Sequence, residues 1–96
     1  MKKFVYLYYG WGEHTPEVME AWNGWFASVG DKFADTGNPF GGGREVTPTG
    51  TRELTPEMEP AVGYSIVNAE SIDEAAKLLE GCPIINCVRV HEAMPM

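Results

Sequence analysis

The sequence predicts one soluble α+β domain of the ferredoxin-like βαββαβ type over residues 1–96, pairing into a homodimeric α/β barrel with an antiparallel sheet. Three observations carry this. The chain has 96 residues, the size of a single domain. Two helical patterns are interleaved with β-rich runs in the order β, α, β, β, α, β. The first strand has no polar side, so it must be covered on both faces, and one helical layer covers only one.

Lys3–Tyr9 reads as the first strand, because aromatic and β-branched residues dominate it. Phe4, Tyr6 and Tyr8 alternate with Val5, Leu7 and Tyr9 across its two faces. The preceding Met1-Lys2-Lys3 resembles the start of a leader. The apolar run is short, however, contains three Tyr and stops at Gly10-Trp11-Gly12-Glu13.

Thr15-Pro16 opens the first helix as N-cap and first-turn proline. Val18, Trp22, Trp25, Phe26, Val29 and Phe33 form one apolar stripe, and Gly37 is its expected stop. Asn38–Pro60 is irregular, with a short strand over Arg44–Thr47 and the remainder a hairpin arm or loop. Tyr64–Ala69 is the third strand. Ser71-Ile72-Asp73-Glu74 is a capping box for a second helix, whose apolar face is Ile72, Ala75, Ala76 and Leu79 and whose end is Gly81. Asn86–Ala93 is the last strand.

The composition narrows the partners. The net charge is −7 and the sequence pI is near 4.6, with basic residues scattered, so neither nucleic acid nor an anionic membrane is an expected partner. No apolar run reaches the roughly 20 residues of a membrane helix, and the expected location is cytoplasmic. Cys82 and Cys87 stand in a C-x4-C spacing that fits neither a redox pair nor a zinc knuckle, so both are expected as buried thiols.

The candidate site follows from the face assignment. If Val5, Leu7, Val88 and Val90 pack under the helices, then Phe4, Tyr6, Tyr8, Cys87, Arg89 and His91 share the open face. Apolar walls with a few convergent polar groups describe a small-molecule cleft. There His91 would carry protons as the catalytic residue and Arg89 would anchor an anionic group. Tyr6 and Tyr8 would line the cleft, Trp11 would close over it and His14 would stand at its rim. Trp22 and Trp25 read as core, Gly41-Gly42-Gly43 as a flexible turn, and Glu53, Glu57 and Glu59 as a solvated acidic loop. No metal site and no cofactor is expected.

Three stretches resemble the YCII-related, or DGPF-domain, proteins of the dimeric α/β-barrel superfamily. They are Phe4–Gly10, Ala21-Trp22-Asn23-Gly24-Trp25-Phe26, and Gly63–Ala76 continuing through Gly81-Cys82-Pro83 to Val88–Glu92. The resemblance spans most of the chain outside the central loop. It implies the ferredoxin-like fold and a homodimer with a cleft or barrel interior. The family's DGPF tetrapeptide is missing, with Glu53–Pro60 in the corresponding region, and no counterpart of the family's proposed His–Asp pair stands out. The expected function is therefore binding of a small organic ligand, with acid/base catalysis as an option. The alternative is a non-catalytic interaction or regulatory module whose open face only seals a dimer.

Overall fold

A computed structural model describes residues 1–96. The elements follow as β1 (Lys2–Tyr9), α1 (Pro16–Val29), β2 (Phe33–Pro39), β3 (Arg44–Thr47), β4 (Gly50–Glu53), β5 (Gly63–Ala69), α2 (Ile72–Lys77) and β6 (Cys87–Ala93). One four-stranded sheet has the order β2-β5-β1-β6, with every neighbouring pair antiparallel. This order is consistent with the ferredoxin-like arrangement. β3 and β4 pair only with each other, as an added hairpin.

α1 starts as the sequence predicts. The Thr15 hydroxyl accepts from the Val18 amide at 3.2 Å, and Pro16 takes the first turn. It ends earlier than predicted. Gly30 is its C-cap, a single 3-10 turn over Gly30–Lys32 follows, and Phe33 opens β2. Phe33 still packs on the stripe it was assigned to, 5.6 Å from Trp25 and 5.5 Å from Phe26 between ring centroids.

The predicted second strand of the main sheet is thus corrected. Arg44–Thr47 is a strand, but of the hairpin, and β2 takes the edge beside β5. β2 carries a register shift around Gly37, whose φ is +84°. A Cβ there would lie 1.6 Å from the Tyr64 carbonyl oxygen, so only glycine fits. Gly37 therefore shapes a bulge and does not stop a helix.

α2 is capped by Ser71, whose hydroxyl accepts from the Glu74 amide at 3.1 Å. The Glu74 carboxylate reaches the Glu70 amide at 3.4 Å, one residue short of the expected reciprocal bond. Ile72 is exposed, so the buried side of α2 centres on Ala75.

Both helices cover one face of the sheet. Phe4, Tyr6, Trp25, Val29, Val67, Ala69 and Ala75 form the core. The Tyr6 hydroxyl donates to the Ala75 carbonyl. The Trp25 indole N–H donates to the Leu78 carbonyl at 2.9 Å and ties α1 to the end of α2. This reverses the predicted phase of β1: Phe4, Tyr6 and Tyr8 lie under the helices, and Val5, Leu7 and Tyr9 face the open side. The register shows why. Val90 lies opposite Tyr6 and Val88 opposite Tyr8, so each pair shares a face, and the large rings fill the depth between sheet and helices. Arg89 and His91 keep their predicted open-face positions, opposite Leu7 and Val5.

The molecule is a slab about 42 × 40 × 18 Å, thin because it has one sheet and one helical layer. Its radius of gyration, 14.6 Å, exceeds the roughly 13 Å of a 100-residue domain, since the hairpin stands away from the main sheet. No helix is long and apolar enough to cross a membrane.

Candidate functional site

The site begins where β1 ends. The strand terminates at Tyr9, and Gly10 turns the chain with φ +104°. A Cβ on Gly10 would come within 2.8 Å of the Asn86 side chain and 3.0 Å of its amide nitrogen. The Asn86 amide donates to the Tyr9 carbonyl at 3.2 Å and fixes the loop against the entry to β6. Trp11 to His14 then run exposed along the top of the sheet, with Trp11 at 70% exposure, until Thr15 caps α1.

Below this loop lies a cavity of about 280 Å³ between α1 and the helix-covered face of the sheet. Its volume sits near the lower end of small-molecule sites, roughly 300–1,000 Å³. Three aromatic rings make its inner wall. Tyr8 meets Trp22 edge to face at 5.6 Å between centroids, and Trp22 lies 5.9 Å from Phe26. Ile84 and Ile85, exposed before β6, also line it, with Ile85 set against Gly10 and Gly12 of the loop above. The cavity remains open because α2 is only six residues long and covers the other end of the sheet.

A hydroxyl relay forms the polar part of the floor. The Tyr8 hydroxyl donates to the Ser65 hydroxyl at 2.8 Å, and Ser65 donates to the Thr36 carbonyl at 2.6 Å. The Gly37 bulge brings that carbonyl into place. Burial raises the Tyr8 hydroxyl above the ordinary tyrosine range and outweighs the Ser65 hydrogen bond, so Tyr8 keeps its proton at neutral pH. With its hydrogen engaged in the bond to Ser65, the Tyr8 oxygen has only acceptor capacity left for a ligand. Burial likewise pushes Tyr6 up to about 12, with a smaller push from Cys82.

Of the residues predicted to bind a ligand, Tyr8, Trp11 and His14 line this cavity. Tyr6 lies deeper in the core, bonded to α2. Arg89 and His91 are on the opposite face of the sheet. The Arg89 guanidinium rests over the Tyr9 ring, 4.6 Å from its centroid, and His91 is exposed. The structure therefore separates the predicted proton carrier and anion anchor from Tyr8, Trp11 and His14.

The cysteines divide too. Cys82 is half-buried, and burial pushes its thiol up to about 12. Cys87, expected to be buried, is exposed at the start of β6.

Sequence reasoning missed Ser65, Thr36 and the Ile84-Ile85 pair, and it assigned Trp22 to plain core packing. Two adjacent isoleucines between Pro83 and the last strand were the legible signal, because a loop rarely carries such a pair unless it packs on something. Comparison of the chain with models of protein families, with curated proteins and with solved structures found no match.

Proposed function

We propose that this chain is a homodimeric YCII-like protein that binds a small organic ligand in the cavity beneath the loop joining β1 to α1. The observation that carries the reading is the cavity itself: an aromatic wall of Tyr8, Trp22 and Phe26 with a few polar groups, the Tyr8 hydroxyl in its floor and Glu13, His14, Asn23 and Asn38 also lining it. A largely apolar enclosure with a few placed polar groups holds a ligand by area and sets its orientation.

The dimer has separate support. Only nine residues are buried, a thin core for a chain of 96. The open face presents Val5, Leu7 and Ile66 side by side, as half-buried residues in register on adjacent strands. The β3–β4 hairpin leaves Val46 at 75% exposure, and an isolated hairpin is marginal in water. A second copy against the open face adds the burial that one subunit lacks. In this reading Arg89 and His91 belong to the dimer face, and binding rather than catalysis is the role of the pocket.

Native mass spectrometry of freshly purified protein tests both parts together. The expected result is a dimer that retains the mass of a small organic molecule, with retention lost in Trp11→Ala. A stable monomer overturns the dimer, and retention unaffected by Trp11→Ala overturns the pocket assignment.

A further inference from the structure

The charges around the cavity are one-sided. No Lys or Arg occurs between Lys3 and Lys32, the stretch that supplies the loop and α1. Glu13, Glu17 and Glu20 fall within it, and Glu13 itself lines the cavity. None of the residues lining the cavity is a Lys or Arg. Arg89 is not among the lining residues, and its guanidinium lies over the Tyr9 ring, 4.6 Å from the centroid.

The walls carry the same preference. Trp11, Trp22, Phe26 and Tyr8 present aromatic surface, whose negative π-face attracts cations and repels anions. The Tyr8 oxygen accepts a proton donor and, with its hydrogen committed to Ser65, does not donate to a carboxylate. Asn23 and Asn38, the amides at the edge, are neutral and serve either polarity. The net charge of −7 draws cations toward the molecule from a distance.

We infer that the pocket selects a small aromatic or aliphatic amine in its ammonium form, the apolar body against Trp22 and Phe26 and the cation toward Glu13 and Trp11. This inference rests on the pocket reading above and adds the chemical class. It reverses the anionic ligand that Arg89 suggests from sequence, because Arg89 does not reach the cavity.

The test is calorimetric titration of the full chain with tryptamine, tryptophol and indole-3-acetate. These share a ring system and differ in the charge of a short side chain. Tryptamine is expected to bind about tenfold tighter than tryptophol, with indole-3-acetate weakest. Glu13→Gln should narrow the tryptamine lead, and ethylammonium, which has the charge without the ring, should not bind. Equal or tighter binding of tryptophol or indole-3-acetate overturns the selectivity and leaves the pocket standing. A tryptamine lead unchanged by Glu13→Gln overturns it as well. No heat from any of the three indoles, or affinities untouched by Trp11→Ala, overturns the pocket reading and the inference with it.

Discussion

The two faces of the four-stranded sheet are made from the same few strands yet differ in kind. Under the helices Tyr6, Tyr8 and Trp25 each have a fixed partner: Tyr6 bonds α2, Trp25 bonds the Leu78 carbonyl, and Tyr8 bonds Ser65. No buried side-chain polar atom on the molecule lacks a hydrogen bond. On the open face Val5, Leu7 and Ile66 are half-buried, and Arg89 reaches only a Tyr9 ring. The difference teaches that apolar character alone does not identify a core. Depth and hydrogen-bond partners do.

The largest test of this contrast is Trp25→Ala. Trp25 is 3% exposed and packs against four aromatic rings besides Phe33, so its loss should cost about 3–5 kcal/mol in urea denaturation. A loss no greater than that of an exposed residue would mean that the covered face is not the core.

Alkaline pH gives an intermediate effect with a definite sign. Burial holds the Tyr6 hydroxyl near 12 in the folded chain, against an ordinary 10.0, and raises Tyr8 as well. Above pH 10 the unfolded chain releases protons that the folded chain keeps. The stabilisation is therefore complete below pH 10 and is lost as pH rises through about 12. Urea midpoints should fall between pH 9 and pH 11, and Tyr6→Phe should fall less steeply than the parent. Identical slopes would place Tyr6 in solvent.

The smallest effect belongs to the open face. Arg89→Ala removes an exposed cation–π contact, which contributes at most about 0.5–1 kcal/mol. It should leave tryptamine affinity unchanged in the calorimetric titration. A loss of affinity would join the two faces into one site and erase the distinction.

Local chemistry was legible in the residues. Thr15-Pro16 and Ser71 specify helix starts through bonds to amides three residues on. The runs around β1, β5 and β6 were recognisable from β-branched and aromatic content. β2 was not, because Phe33–Pro39 holds Asp, Gly, Asn and Pro, residues poor in strand propensity. It is a strand because β5 offers it a hydrogen-bonding edge. Tyr8, Trp11 and His14 were found as candidates through their residue types, although Tyr8 was placed on the wrong face.

The sequence by itself determined an acidic α+β chain, its capped helices, three of the four main strands and an aromatic surplus near the end of the first. Those properties reside in neighbouring residues and in the 3.6- and 2-residue periods of their side chains. Only the tertiary structure decided which face of β1 the helices cover, because a strand apolar on both sides has no periodic signal to set its phase. That choice places Tyr8 in the cavity and sends Arg89 and His91 to the other side. It was made by cross-strand register and by the depth that a tyrosine ring fills beneath a helix.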